Sequence, residues 1–503
     1  MSPARPAAVV VLAAGEGTRM KSSIPKVLHP VGGRSLVHHA VAAAAALDPE
    51  HLVVVVGHGR EQVTAHLAEV APKAATAVQE EQLGTGHAVS CALQELPQLT
   101  GTVVVTYGDT PLLTGETLRH LVDEHDASGN AVTIITADFD DPTGYGRVLH
   151  DADGRILGVV EQKDATAEQR QIREVNSGIY AFEVATLTDA LGRLGTDNVQ
   201  GELYLTDVVG IASSDGKQVG ALHIDDTWQT QGINDRVQLA DVHHELNRRT
   251  VERWMRDGVT VRDPQTTWID ADVTLARDVT LEPNTLLRGA TTVAQAALIG
   301  PNTELVDTEV GARAEISNTT SYGAVIGPDA TVGPYTYLRP GTRLGAHARA
   351  GGFVEMKKAV LGEGAKVPHL SYVGDADIGA GANIGAGTIF ANYDGVTKSH
   401  TAVGEHSFVG SNSVLVAPVE IADGAYVAAG SAITNRVEAG ELAVARGKQR
   451  NIRGWVARRR AGTRTAAAAE RADATTDTAP DESREHSSEQ HDHGQGDSKG
   501  PDA

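Results

Sequence analysis

Val403–Ile433 reads VGEHSFVGSNSVLVAPVEIADGAYVAAGSAI, and its aliphatic residues Val403, Val409, Leu415, Ile421, Val427 and Ile433 fall at a constant step of six. Small or polar residues, often Gly, Ala, Ser or Asp, fill the places between. Helices repeat about every 3.6 residues and simple strands about every two, so neither element accounts for the step. A hexapeptide-repeat β-helix does, because short strands alternate with tight turns and one aliphatic side chain per hexapeptide points inward. The same step recurs at Ile326, Val332, Leu338 and Leu344, at Leu361, Val367 and Val373, and at Ile378, Ile384 and Phe390. A β-sandwich with regular turns is the alternative, but it does not hold one short period over such a length. The pattern predicts stacked coils from about residue 270 to 435.

Composition agrees. Aromatics make up 4% of the 503 residues, as a prism filled by Val, Ile, Leu and Ala requires. The length suits about three domains. A single cysteine, Cys91, excludes an intrachain disulfide, and a reducing, cytoplasmic setting is the default. The net charge of −22 argues against a general nucleic-acid binder, though not against local phosphate binding. No apolar run reaches the roughly 18 residues of a membrane span. The apolar stretch Ala7–Ala14 runs straight into GEGTR and is expected to be a buried strand rather than a leader.

Residues 1–233 alternate Val/Ile-rich runs (Ala8–Ala13, His51–Val56, Thr102–Tyr107, Ala131–Thr136) with helical segments such as Ser35–Leu47 and Gly115–Ala127. This predicts an α/β sheet with helices on both faces and a ligand at the strands' carboxyl ends. Residues 234–256 read as a helical linker, 257–460 as the repeat domain, and 461–503 as a disordered acidic tail without Val, Ile, Leu, Met or aromatic residues.

The first strand enters Leu12-Ala13-Ala14-Gly15-Glu16-Gly17-Thr18-Arg19-Met20, followed by Pro25-Lys26. Gly15 and Gly17 allow a tight turn that presents N–H groups to an anion, with Arg19 and Lys26 adding positive charge. A plain turn would explain a lone GxG; the strand before it and the cations after it strengthen the phosphate reading. The pattern is not a Walker loop.

These residues resemble the signature of the sugar-nucleotide pyrophosphorylases. Gln82-Leu83-Gly84-Thr85-Gly86-His87, Tyr107-Gly108-Asp109, Thr143-Gly144-Tyr145-Gly146-Arg147 and Asn176-Ser177-Gly178 narrow the likeness. With the repeats, the chain to about residue 457 resembles the bacterial bifunctional N-acetylglucosamine-1-phosphate uridyltransferase/glucosamine-1-phosphate acetyltransferases. The resemblance implies a Rossmann-like nucleotidyltransferase domain followed by a left-handed parallel β-helix, assembled as a homotrimer. It implies acetyl transfer from acetyl-CoA to glucosamine-1-phosphate, then uridylyl transfer from UTP, giving UDP-N-acetylglucosamine for cell-wall precursors. The alternative is a single-activity nucleotidyltransferase whose β-helix only assembles and regulates it.

Residue roles follow from the same resemblance. Leu12, Ala13, Ala14, Gly15, Arg19 and Lys26 would meet the nucleotide, Arg19 and Lys26 steadying the triphosphate. Gln79, Gly84 and Thr85 would read uracil, and Tyr107, Gly108, Gly146, Glu161 and Asn176 complete the nucleotide and sugar site. Asp109 and Asn234 would hold Mg²⁺, which suits one or two carboxylates plus phosphate oxygens and water; for Asp109 a helix cap is the bland alternative, and for Glu161 surface solvation. In the repeat domain, Arg339, Lys357, Tyr372 and Asn383 would take the amino-sugar phosphate. Ala386, Asn392, Tyr393, Ser411, Ala429 and Arg446 would line the acetyl-CoA side. His369 is the expected base, since an amine attacks a thioester only when neutral and histidine titrates near neutrality; a hydrogen-bonded core histidine is the alternative. The broken step between Phe390 and Val403 predicts a projecting loop. Arg458–Arg460 read either as a solvated cap on the last coil or as a contact to the coenzyme A 3′-phosphate. Glu16, Asp235 and Pro368 depart from the residues common in that family, which touches the grip on pyrophosphate, the charge near the metal and the approach to His369.

Overall fold

Ala8–Ala13 has six buried residues in a row, as only a strand covered on both faces can sustain. It is an inner strand of a sheet in the order Val219–His223, Val132–Asp138, Glu174–Glu183, Thr102–Tyr107, Ala8–Ala13, His51–Val56, Ala75–Val78. The structure is a computed structural model and describes residues 5–476. All neighbours in this order are parallel except Glu174–Glu183, which runs against both of its partners. Val9 and Val11 pack into one core cluster, and Ala8, Val10 and Leu12 into another on the opposite face. Helices Leu36–Ala45 and Thr85–Gln94 cover these faces, and Ser35 caps the first of them by accepting from the His38 N–H.

The register decides where ligands can go. Leu12 pairs with Tyr107, so the glycine-rich loop and the Gly108-Asp109 turn leave the sheet side by side. Gly108 N–H donates to the Leu12 carbonyl at 2.9 Å and locks the two turns together.

Arg236–Arg256 is a single helix of 21 residues. Asp235 caps it, accepting from the Val237 and Gln238 amides, so its carboxylate is occupied at the helix end. Arg249 binds Asp226 of the first domain twice, both at 2.7 Å, and Asn247 joins the helix to the first coil through Thr267 and Ile269. A hairpin just after Lys26 also reaches the coils: Arg34 pairs with Asp272, and Ala271 N–H donates to Gly32.

The repeat region is a parallel β-helix, its strands in stacked sheets of 11 and 17. Val403 pairs with Ile421, Val409 with Val427 and Leu415 with Ile433, so three hexapeptides make one coil here. All sixteen aliphatic or aromatic positions picked out by the six-residue step are buried. Each contributes about 1.5–3 kcal/mol of transfer free energy, so stacking supplies the core that no single coil has. Coils start at Thr260–Val261, earlier than the step suggests, and the last strand is Leu442–Ala443.

The chain divides into two compact units, Met1–Ala445 and Arg446–Ala503. In the second, Trp455–Arg459 and Arg464–Thr476 are helices, and the Arg460 guanidinium lies over the Trp455 ring at 5.5 Å. The expectation of disorder from residue 461 is therefore corrected for Arg464–Thr476. Its TAAAAERADA run has high helix propensity, which absence of large apolar residues does not cancel. Residues 477–503 of that expected tail lie outside the described residues. Among the described residues no helix is long and apolar enough to cross a membrane.

Candidate active sites

A cavity of about 370 Å³ opens at the carboxyl ends of Ala8–Ala13 and Thr102–Tyr107. Leu12, Ala13, Ala14, Gly15, Lys26, Gln79, Gly84, Thr85, Tyr107, Asp109 and Asn234 all line it. The two glycines of the loop divide the labour. Gly17 has φ +62°, and a Cβ there would lie 2.5 Å from the Lys26 Cβ, so it lets Lys26 close in. A Cβ on Gly15 would meet nothing, so Gly15 leaves room for a ligand.

Lys26 Nζ lies 2.5 Å from Asp109 Oδ2 and 3.4 Å from Asn234 Oδ1. The side chains of Lys26 and Asp109 are only 13% and 17% exposed. Ile233 N–H donates to the Asp109 carbonyl, which brings the Asn234 loop onto the Asp109 turn. Asn234 Nδ2 turns toward the Gly232 carbonyl at 3.4 Å, leaving Oδ1 on the inner side. Asp109 caps no helix: the next one, Gly115–Ser128, is capped by Thr114. One carboxylate and one amide oxygen thus converge on a single cation, here the ammonium. That hard-oxygen pair suits Mg²⁺, whose other positions phosphate and water would fill. Among the described residues no cluster of three or more metal-ligating His, Cys, Asp or Glu exists.

Gly146, Glu161 and Asn176 gather beside this cavity. Gly146 pairs with Asn176, and a Cβ on Gly146 would stand 3.6 Å from both the Asn176 Cβ and Glu161 Oε2. Burial pushes the Glu161 carboxyl up, against a 3.3 Å hydrogen bond from Thr206. It is half-buried rather than solvated. Tyr107 links the two places: burial, then the charges of Glu161 and Asp109, push its phenol up. Gly178, at φ +80°, is required under that ring, since a Cβ would reach Tyr107 Cε2 at 2.4 Å. Arg19 is exposed and outside the cavity lining. Gln82 and Glu202 line it and were missed; Gln82 had a signal, being part of the quoted motif, and it donates to the Ala14 carbonyl at 2.8 Å.

In the β-helix, His369 ends the strand Lys366–His369 with its side chain exposed, so the core-histidine alternative is excluded. Its carbonyl accepts from Gly387 N–H at 3.1 Å and Ser371 Oγ at 2.8 Å. Gly351 makes that stack possible, because a Cβ would lie 2.0 Å from the Pro368 carbonyl. Asn412 N–H donates to Ala386, and Gly430 N–H to Ser411, so the positions of His369, Ala386, Ser411 and Ala429 succeed one another up one corner of the prism. Asn383 precedes that corner, on a strand paired with Lys366 and Phe408. Arg446 opens the second unit.

Tyr372 starts the strand beyond the corner, its hydroxyl over Gly374 beside the Asn392 amide. Asn392 Nδ2 donates to Asp375 at 2.5 Å. Asn392, expected on the acetyl-CoA side, thus lies against Tyr372, expected on the phosphate side, so the two sets of candidates meet here. Arg339 pairs with Glu355 at 3.0 Å. Lys357 is held below the ordinary lysine range, first by the Lys398 ammonium beside it and then by Arg339. Lys398 was missed. It closes the predicted projecting loop, bridged to Tyr393, and brings a third cation beside Lys357 and Arg339, which Asp375 and Glu355 partly balance.

A model of the MobA-like NTP transferase domain matches residues 9–174, and one of the hexapeptide repeat of succinyl-transferase matches residues 400–435. The chain is 59% identical to the "Bifunctional protein GlmU" of Streptomyces avermitilis over 472 residues, 93% of this chain and 98% of that protein. It is 56% identical to the protein of that name from Kineococcus radiotolerans over 485 residues, 96% and 99% of the two chains. The same name belongs to a Thermobifida fusca protein 56% identical over 481 residues, 95% of this chain and 99% of the other. With both architectures present, the β-helix of the left-handed hexapeptide type, and over half the residues shared almost end to end, the chain belongs to the family of the bifunctional protein GlmU.

Proposed function

We propose that this bifunctional enzyme acetylates glucosamine-1-phosphate from acetyl-CoA and couples the product to UTP, yielding UDP-N-acetylglucosamine and pyrophosphate. The observation that carries the uridylyl half is the convergence of Lys26, Asp109 and Asn234 beside the glycine loop. There a phosphate oxygen of the sugar attacks the α-phosphorus of UTP, and the bond to pyrophosphate breaks. Lys26 and the loop amides align and neutralise the reacting phosphates. Asp109 and Asn234 would hold Mg²⁺, which when bound offsets phosphate charge. Gln79, Gly84 and Thr85 take the base, and Gly146, Glu161 and Asn176 the sugar. In the β-helix, Arg339, Lys357 and Lys398 hold the sugar phosphate, and His369 accepts the amine's proton as nitrogen attacks the thioester carbonyl. The C–N bond forms, the C–S bond breaks, and coenzyme A leaves.

Supplying glucosamine-1-phosphate, acetyl-CoA, UTP and Mg²⁺ should yield UDP-N-acetylglucosamine, and omitting any one should stop it. If N-acetylglucosamine-1-phosphate and UTP react but no acetyl-CoA is consumed, the single-activity alternative takes over. The exposed apolar ladder Tyr335, Phe353, Leu370, which ends beside His369, favours a homotrimer with the acetyl-transfer site against a neighbouring copy. Light scattering should give the mass of three 52.6 kDa chains, and a monomer mass would remove that arrangement. A reaction that draws on UTP and acetyl-CoA fits a cytoplasmic setting.

A further inference from the structure

We infer that His87, which no role above uses, is a positioning residue that sets which base the nucleotide site accepts; this rests on the uridylyl-transfer reading. Gln79 lines the cavity with a side chain almost wholly buried, and its Nε2 donates to the Gly84 carbonyl at 3.0 Å. A carbonyl can only accept, so the atom facing it is the amide nitrogen and the amide's orientation is settled. The same Nε2 lies 3.2 Å from His87 Nδ1. That ring nitrogen must then be the one carrying a lone pair. The imidazole proton sits on Nε2, 3.6 Å from Cys91 Sγ one turn along the helix, where the sulfur serves as a weak acceptor. Gly84 itself is irreplaceable in this arrangement: it has φ +109°, and a Cβ would lie 2.5 Å from the Leu203 carbonyl.

Both amide protons of Gln79 are thereby consumed by the protein. Oε1 is left over; among the described residues no donor reaches it, and it is not sealed from the cavity. The site therefore presents a fixed acceptor that cannot rotate into a donor. A base with a ring N–H at its pairing edge, as uracil has at N3, satisfies it. Cytosine puts a lone pair there and is repelled. Without the His87 lone pair, one amide proton of Gln79 loses its partner, the Gly84 carbonyl alone is left to hold the amide, and the distinction weakens. A methyl group at C5 of the base lies off the pairing edge, so this device is blind to it.

The test compares kcat/KM for UTP, CTP and 5-methyl-UTP with N-acetylglucosamine-1-phosphate. His87→Leu should reduce the UTP-to-CTP preference by about 10- to 100-fold, the range set by one buried hydrogen bond left unmade. His87→Asn, whose Oδ1 can stand in for Nδ1 as acceptor, should retain most of the preference. The ratio of UTP to 5-methyl-UTP should not move in either variant, and unchanged acetyl transfer reports an intact fold. An undiminished UTP-to-CTP preference in His87→Leu overturns the inference, and so does equal loss in both variants, which would mark a purely structural histidine. Absence of any UTP turnover by the parent protein would instead overturn the uridylyl-transfer reading, and the inference with it.

Discussion

His369→Ala should lower acetyl transfer by about 10²–10⁴-fold, the usual worth of a positioned general base, and leave uridylyl transfer unchanged. The residue's surroundings make the substitution clean. Its backbone is held by Gly387 and Ser371, while the imidazole is exposed, so removing the ring opens no cavity. Surface changes of that kind shift stability by about 0.5 kcal/mol or less, too little to alter the fold. The loss should appear in kcat, because the sugar phosphate is gripped by Arg339, Lys357 and Lys398 rather than by the imidazole. Assays of both half-reactions on one preparation decide the matter. Parallel loss of the two activities would mean that His369 supports the molecule rather than the proton transfer.

The two architectures differed in how openly they announced themselves. A β-helix writes its core as a period, because each coil repeats one inward position; Val409 and Val427 sit in register as a direct consequence. The earliest coils were harder to see. Val261, Ile269 and Leu275 are buried but stand at uneven spacings, so the step was lost before residue 270. The nucleotide cavity was legible where one motif follows one strand, as at Leu12–Gly15. Contacts made by tertiary folding were not. Glu202 comes in through the Leu83 to Leu203 pairing, and Lys398 through a loop that folds back on Tyr393. Neither sequence neighbourhood carries a mark of the partner it meets. The turn of the Asn392 side chain to Asp375, on the coil before it, is likewise unmarked. Composition misled at Arg464–Thr476, because a segment can lack a core-forming residue and still favour helix.

Asp109→Asn should lower uridylyl transfer by about 10²–10³-fold while acetyl transfer persists, which reverses the His369 pattern. The substitution is nearly isosteric, and an asparagine oxygen can still accept from Lys26, so the change is one of charge. That charge has two claimants. Lys26 Nζ already lies 2.5 Å from Asp109 and within reach of Asn234, so a divalent cation must compete with the ammonium for the same oxygens. A carboxylate can win that contest for the metal; two amides cannot, since Mg²⁺ gives up water reluctantly and favours at least one carboxylate. The Mg²⁺ concentration that half-saturates the reaction should therefore rise. UTP affinity should suffer less, because a Lys26 without its counter-charge remains free to meet the triphosphate. The signature is a fall in kcat with KM for UTP little altered. A titration in which Asp109→Asn shows the parent's Mg²⁺ dependence would take the carboxylate off the metal. It would leave Asp109 only as the counter-ion that holds Lys26 in place.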